Sequence, residues 1–381
     1  MEKKEKSKIN AVTPNTMDRL PQDIIIRILS RLPLTDLMQS KLVCRAWQSL
    51  IQNPHLVSEH FSHTVDNGPS FVIQSHLPDN TYQLFFTDLS HDSQGNLILK
   101  KLPSVIKPMY LVDSCNGLLC MRDAKDRIIY IYNPFTRVCI ELPEVNCPEQ
   151  LGHLEFGFHP TTKEYKLVHV VQRYGPNPNS NQSGSIRYSE VHVLTMGSPA
   201  WRNLGKIPHG SIRTASKVTI KGRLHWLSNP SLLISFDLQT EQFQELPKPD
   251  CLGKCFHRLL ILLGCVSIAA YQKGKLEIWV MKEYGVKESW TKEFNIGIFL
   301  PRAWQQSRFH GQRIVFSTAS VRVICSLKSG EILLEYGSRL LVLYDPQQGT
   351  FKELTIPEKP IRFRIKVHVG SLNWLDTPPN N

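Results

Sequence analysis

The chain has 381 residues, of which 41% are hydrophobic, and its formal net charge is +12 at pH 7. This length accommodates a small folded unit together with one large or two medium domains. The first ten residues are rich in charged side chains, and no stretch approaches the roughly 20 apolar residues of a membrane span. Nine cysteines without a repeated spacing fit a reducing compartment. We therefore predict a soluble protein of the cytoplasm and/or nucleus, with no membrane partner.

The basic residues are unevenly distributed. Residues 1–16 are predicted to form a disordered basic tail. Residues 191–236 contain six lysines and arginines, and residues 301–330 contain five, with no acidic residue in either stretch. Such stretches can attract nucleic acid or an acidic protein. No nucleic-acid-binding motif accompanies them, so exposed loops are the simpler interpretation and nucleic acid is not an expected partner.

Residues 17–57 have the apolar periodicity of short helices. Ile24, Ile28 and Leu32 share one helical stripe, while Pro21 suits the first turn and Pro33 ends the helix. A second short helix follows, and apolar residues between 43 and 51 form the face of a third. Three helices in about 35 residues are too few to close a core, so this unit is predicted to dock on another protein.

The same residues resemble a known family in order and spacing. Those that carry the resemblance are Leu20, Pro21, Asp23, Ile28, Leu29, Arg31, Leu32, Pro33, Leu37, Val43, Cys44, Arg45, Trp47 and Leu50. They resemble the F-box, a three-helix unit that binds a Skp-type adaptor and, through it, the cullin and RING subunits of a ubiquitin ligase. The resemblance implies adaptor-binding residues at Leu20, Pro21, Ile24, Ile28, Leu29, Leu32, Pro33, Leu37, Val43 and Trp47. An ordinary N-terminal helical cap is the alternative.

Residues 58–70 are polar and are predicted to be a linker, whereas residues 71–375 have the alternating pattern of strands. A motif recurs there: a glycine followed by a strand, an Asn or Asp turn 15 or 16 residues later, and a Glu-Leu ending. The copies begin at Gly117, Gly222 and Gly330, with a fourth assigned to Gly274 and a glycine-free one to Tyr165. The predicted period is near 52 residues.

Units of this length cannot bury both faces alone, so they must stack on their neighbours. The repeat therefore predicts a β-propeller of about six blades. Strict alternation from Ile361 to Val369 predicts a half-buried strand that completes a blade begun by Phe71. The predicted fold class is α+β multidomain, a small N-terminal three-helix F-box followed by an all-β domain. A pair of β-sandwiches is the alternative for that domain.

Several segments of the β region also match a family in their order: residues 114–120, 133–136, 156–160, 165–168 and 222–226. They resemble the F-box-associated, kelch-like domain of the large plant F-box family, which implies a domain that recognises a target protein. The double glycine of true kelch repeats is absent, so a kelch blade count is not transferred.

Two segments have the composition of a target-binding surface. Residues 174–189 are rich in Gly, Pro, Asn and Ser, and residues 301–313 mix arginine with aromatic residues, which are favoured at binding hot spots. The candidate substrate-binding residues are Arg302, Trp304, Arg308, Phe309, Tyr174 and Arg187. Packing between blades would explain Trp304 equally well.

The sequence contains no recognisable catalytic motif. Cys251, Cys255 and His257 are close together but have no fourth ligand, so neither a metal nor a cofactor is expected. His159 and His225 are interpreted as structural residues. We predict a non-catalytic, substrate-recognition subunit of an SCF-type ubiquitin ligase that binds an unidentified target protein for degradation. A propeller enzyme and a nucleic-acid-binding propeller are the alternatives.

Overall fold

The structure, a computed structural model, describes residues 20–373 except 104–108, 124, 126–127, 146–151, 177–184, 208–210, 230–231, 251–255, 273–274, 298, 300–307, 310–311 and 314–320. The chain divides between Asn67 and Gly68 into two compact units, one helical and one built of strands.

Within the described residues, the helical unit contains α1 (Gln22–Leu29), α2 (Leu34–Ser40), α3 (Arg45–Ile51) and α4 (Pro54–Asp66). Pro21 and Pro33 directly precede α1 and α2, where a missing amide costs no internal hydrogen bond. The fourth helix corrects the predicted linker at 58–70. Pro54 begins it, and the Asn53 side chain caps it by accepting a hydrogen bond from the His55 amide at 2.8 Å.

Helix α4 completes the core that three helices could not close. Its Leu56, Val57 and His60 are buried, and His60 Nε2 lies 3.1 Å from the Leu32 carbonyl oxygen. The other helices contribute the buried side chains of Ile26, Leu29, Leu34, Leu37, Leu50 and Ile51. Only residues 67–70 remain between α4 and the first strand.

Among the described residues, the strands form six four-stranded antiparallel sheets and one two-stranded hairpin. In pairing order, blade 1 consists of β26 (Arg362–Val367), β1 (Phe71–His76), β2 (Tyr82–Thr87) and β3 (Lys100–Lys101). Blade 2 consists of β4 (Met109–Cys115), β5 (Leu118–Asp123), β6 (Ile129–Tyr132) and β7 (Cys139–Glu141). Blade 3 consists of β8 (Gly152–His159), β9 (Glu164–Pro176), β10 (Ser185–Thr195) and β11 (Arg202–Lys206).

Blade 4 consists of β12 (Ser211–Ile220), β13 (Arg223–Asn229), β14 (Leu233–Asp237) and β15 (Phe243–Leu246). Blade 5 consists of β16 (Phe256–Leu262), β17 (Cys265–Gln272), β18 (Lys275–Met281) and β19 (Trp290–Gly297). The hairpin is formed by β20 (Arg308–Phe309) and β21 (Gln312–Arg313). Blade 6 consists of β22 (Val321–Ser326), β23 (Ile332–Tyr336), β24 (Leu340–Asp345) and β25 (Thr350–Leu354).

The blades form a closed ring. An apolar cluster lies between each blade and the next, and one of these clusters joins blade 6 to blade 1. The first strands of neighbouring blades also contact one another, as in β26 with β4 and β22 with β26. The unit is therefore a six-bladed β-propeller, which excludes the pair of β-sandwiches.

The last strand closes the ring, as its alternation predicted. Strand β26 pairs antiparallel with β1, with Ile365 opposite Ile73 and Phe363 opposite Ser75. Phe363 and Ile365 are 2% and 1% exposed. Blade 1 therefore combines the two ends of the β domain, because its first strand is the last one in the sequence.

The recurring Asn or Asp residue has a direct structural role. Its Oδ1 accepts two backbone amides in the turn between the third and fourth strands, at Asn133, Asp237 and Asp345. The Glu-Leu ending closes the fourth strand, and its leucine is buried between blades. The Asn or Asp turn and the Glu-Leu ending therefore mark the outer half of a blade.

The glycine turn leads into the second strand of a blade, because Gly117 lies between β4 and β5. The fourth copy of the predicted repeat was misplaced. Its strand, Lys275–Met281, is the third strand of blade 5, and the glycine equivalent to Gly117 is Gly264. Gly274 lies outside the described residues, and the spacing between blades is irregular rather than near 52 residues.

Residues 368–373, which we call the C-terminal strap, follow β26 and cross blade 2. The Asn133 side-chain amide donates to the carbonyl oxygens of Ser371 and Asn373, each at 3.0 Å. In return, the Ser371 hydroxyl and the Asn373 amide donate to the Asn116 carbonyl oxygen at 2.8 Å. These bonds explain why an asparagine stands at position 133, whereas Asn116 contributes only its backbone carbonyl oxygen.

Substituting Gly117 with alanine tests the strap. Gly117 has φ +81°, and an added Cβ would lie 2.0 Å from Ser371 Oγ. Gly197 has φ +85° but no atom within 4 Å of its Cβ position, so Gly197→Ala is the matched control. Both variants incur the left-handed backbone cost of about 1–2 kcal/mol, and the clash should add about 1–3 kcal/mol at Gly117 alone. Equal shifts in the midpoint of urea unfolding would contradict this role.

Candidate docking surfaces

The helical unit exposes apolar side chains on one face of α1 and at its start. Leu20, Ile24 and Ile28 are 37%, 41% and 44% exposed. Ile24 and Ile28 are one turn apart, whereas Ile26 and Leu29 project to the other side of the helix into the core. The helix is therefore apolar on two faces, and only one of them is covered within this unit.

The turn between α2 and α3 exposes a second apolar group. Leu42 and Val43 are 81% and 66% exposed. Val43 was predicted as a docking residue, whereas Leu42 was missed because it falls outside the helical stripes on which the prediction relied. We call Leu20, Ile24, Ile28, Leu42 and Val43 the exposed apolar residues.

The remaining predicted adaptor-binding residues divide by burial. Leu29 and Leu37 are 0% exposed, so they form the core beneath the surface and cannot contact a partner directly. This corrects their assignment, because apolar helical spacing in α1 and α2 does not show whether a side chain faces the unit's own core or its surface. Pro21 and Pro33 are exposed, and Leu32 and Trp47 are half-buried. For these residues adaptor binding stays a prediction.

The propeller has two ends that its strand order defines. The near end, where β1 begins at Phe71, carries the turns between first and second strands and between third and fourth strands. The far end carries the turns between second and third strands and the connections between blades. Tyr174, a predicted substrate-binding residue, is 57% exposed in β9, toward the far end.

The other predicted substrate-binding residues are only partly located. Arg187 pairs with Tyr174 across β9 and β10, and Arg308 and Phe309 form β20. The side chains of these three residues, and the whole of Arg302 and Trp304, lie outside the described residues. Substrate binding by this set therefore stays a prediction.

His225 and His159, which were interpreted from the sequence as structural residues, form hydrogen bonds within the propeller. His225 is fully buried and its Nε2 lies 2.8 Å from the Tyr284 hydroxyl. Burial lowers the pKa of His225 to about 4, so its ring is neutral at physiological pH. His159 Nδ1 accepts the Thr162 amide at 3.2 Å and thereby closes the turn after β8.

Among the described residues, no group of three or more His, Cys, Asp or Glu side chains is placed to hold a metal ion. Cys251 and Cys255, and the side chain of His257, lie outside those residues. Across the same described part of the chain, no helix combines the length and apolar character needed to cross a membrane.

Comparison with known families agrees with this two-part architecture. Residues 17–63 match the family described as F-box-like, and residues 66–371 match the F-box associated beta propeller domain. The chain therefore belongs to the F-box family whose members carry an F-box associated β-propeller.

Individual relatives come from Arabidopsis thaliana. The chain is 40% identical to the F-box protein At3g07870, over 95% of this chain and 93% of that protein. It is 28% identical to the F-box/kelch-repeat protein At3g23880, over 73% of this chain and 79% of that protein. It is 24% identical to the F-box protein CPR1, over 93% of this chain and 89% of that protein.

Proposed function

We propose that this protein is the substrate-recognition subunit of an SCF-type cullin–RING ubiquitin ligase in the cytoplasm or nucleus. The helical unit binds a Skp-type adaptor, which links it to the cullin and RING subunits. The propeller binds a target protein, which is then ubiquitinated and degraded. The observation that carries the proposal is the set of exposed apolar residues on a unit that belongs to the F-box family.

The energetics support docking at these residues. Fully burying a large aliphatic side chain stabilises a complex by about 1.5–3 kcal/mol. Ile24 and Ile28 retain 41% and 44% of their exposure, so each has roughly 1 kcal/mol still to gain. Leu42 and Val43 are more exposed, so each has more free energy to gain on burial. A partner that covers this set gains several kcal/mol before any polar contact is counted.

The role requires no chemistry from this chain. A substrate-recognition subunit acts by holding target lysines near the charged conjugating enzyme, which raises their effective concentration. The six-bladed ring suits this task because its packed sheets hold the connecting loops on a rigid support.

Affinity purification with the proteasome inhibited tests the proposal. Trp47→Ala is expected to weaken adaptor binding by about 2–4 kcal/mol if Trp47 is a hot spot. Adaptor and cullin should then be lost from the purified sample, whereas the target should remain bound and accumulate. Gln48→Ala, at an exposed position of the same helix, is the control. Retention of the adaptor by Trp47→Ala at the wild-type level would count against the proposal.

A further inference from the structure

At the far end of the propeller, blades 1 and 2 bring aromatic and cationic side chains together. The rings of His76 and Tyr82 stack with centroids 4.8 Å apart, and Tyr82 meets Tyr110 edge-to-face at 5.3 Å. The Arg364 guanidinium lies 5.5 Å from the Tyr110 ring centroid. Arg362 lies opposite His76 in the β26–β1 pair. We call these five residues the aromatic–arginine cluster.

The strand pleat explains why this cluster is at the surface. Along β26, the side chains of Phe363 and Ile365 are buried in the apolar core between blades 6 and 1. Arg362 and Arg364 alternate with them and are exposed, while His76, Tyr82 and Tyr110 are half-buried. The aromatic rings therefore form a surface that is rigid and partly accessible.

The Arg364 side chain is held in place by two contacts, and its guanidinium has further N–H groups that can donate hydrogen bonds to a partner. Its Nη1 donates to the Leu111 carbonyl oxygen at 3.1 Å while the guanidinium lies over Tyr110. A guanidinium has five N–H donors. Because the side chain is exposed, the donors not used by Leu111 remain available to a partner. A pre-positioned arginine of this kind loses little freedom on binding.

The charge balance of this surface is positive. Other cations of the first strands have acidic partners, as in Lys366 with Asp113 at 3.0 Å and Arg322 with Glu335. Arg362 and Arg364 have no such ion pair with any acidic residue in the described part of the chain.

The neighbouring turns add to this positive charge. Arg339 and Lys359 are exposed there. Of the acidic residues nearby, the Asp79 carboxylate already accepts from the amide and hydroxyl of Thr81, at 3.0 Å and 2.6 Å. Glu358 is exposed in the same connection as Lys359. The cations of this surface therefore outnumber the acids.

We propose that the aromatic–arginine cluster binds an acidic segment of the target protein. Carboxylates of that segment pair with Arg362 and Arg364, and an apolar or aromatic side chain packs on Tyr82 and Tyr110. Arginine and tyrosine are the residues that most often dominate binding energy, and bidentate arginine–carboxylate pairs add specificity. The inference rests on the proposed function and specifies the chemistry of the target.

Selection from a phage library of random dodecapeptides tests this inference. The bait is the full chain co-expressed with a Skp-type adaptor and immobilised through a tag on the chain itself. Selected peptides should be enriched in Asp and Glu. The best peptide, synthesised and labelled, should bind about 10- to 100-fold more weakly to the Arg362→Gln/Arg364→Gln variant. The Arg137→Gln/Lys163→Gln variant removes equal charge from exposed near-end turns and should bind within about twofold of wild type.

The outcomes separate this inference from the proposed function. Peptides without acidic enrichment, or an equal loss in the Arg137→Gln/Lys163→Gln control, would overturn the acidic-segment assignment even if the adaptor co-purifies. Failure of the adaptor to co-purify would instead contradict the proposed function, while the peptide measurement would still report on the cluster. Matching melting temperatures of the variants would confirm that any loss arises at the surface.

Discussion

Replacing Ile28 with aspartate is expected to weaken binding to a Skp-type adaptor by about 100-fold or more. Ile28 is 44% exposed on the uncovered face of α1, so the helical unit should still fold with aspartate in its place. In the complex the carboxylate would be desolvated against an apolar partner. Burying a polar group without a hydrogen bond costs about 2–7 kcal/mol, and a charge costs more. About 3 kcal/mol suffices for a 100-fold loss.

Titration calorimetry with the purified adaptor, alongside circular dichroism of each variant, measures this effect. Ser62→Asp adds the same charge at an exposed position of α4 and should bind normally. Leu29→Asp, at a position that is 0% exposed, should lose helical signal together with binding. Wild-type affinity of Ile28→Asp would show that this face of α1 does not contact the adaptor.

A chain that ends at Pro360 is expected to lose the folded propeller. The truncation removes β26 and the C-terminal strap, which uncovers Phe71 and Ile73, both 0% exposed in the intact domain. It also removes the buried side chains of Phe363 and Ile365. Each fully buried apolar side chain contributes about 1.5–3 kcal/mol, so the loss approaches the 5–15 kcal/mol by which a domain is stable. Aggregation on size-exclusion chromatography and no cooperative thermal transition are the expected results.

Point variants in the same strand refine this test. Ile365→Ala should destabilise the propeller by about 2–5 kcal/mol, because it leaves a cavity between blades 6 and 1. Val367→Ala, at a position that is 40% exposed in the same strand, should change stability by only about 0.5 kcal/mol. Similar melting temperatures for the two variants would argue that β26 does not close the ring.

Much of the fold could be predicted from local patterns. The alternation in residues 361–369 predicted a strand that completes the blade begun at Phe71, and β26 pairs with β1. The recurring Asn and Asp residues predicted tight turns, and Asn133 and Asp237 close them through their own side chains. These signals succeed because both the pleat and the side-chain-capped turn are properties of a few adjacent residues.

The parts that were missed depend on contacts between distant residues. The innermost strands carry polar side chains such as Asp113 and Arg322, which are satisfied by partners on other strands, so their alternation is weak. The sequence that begins at Lys275 resembles the one that begins at Arg223, and only strand pairing shows that β18 is the third strand of its blade whereas β13 is the second. Helix α4 was missed because its sequence is largely polar and its buried face is narrow.

The sequence predicted that the helical unit has a docking surface, but it did not identify every residue of that surface correctly. The exposed positions Ile24 and Ile28 were identified, but Leu29 and Leu37 were assigned to the surface although they are buried. An apolar stripe indicates that a helix face is buried in the functional state of the protein. It does not show whether that face is buried by the same chain or by a partner. The aromatic–arginine cluster gave no signal in the sequence, since its members come from four strands.

The placement of β26 has a consequence for synthesis in the cell. A ribosome delivers the chain from its N-terminus, so β1 emerges some 290 residues before the strand that must cover it. During that interval the inner edge of blade 1 is an open template for pairing with other chains. Newly made protein should therefore depend on chaperones until β26 has been made, and a premature stop codon anywhere before β26 should yield no functional product.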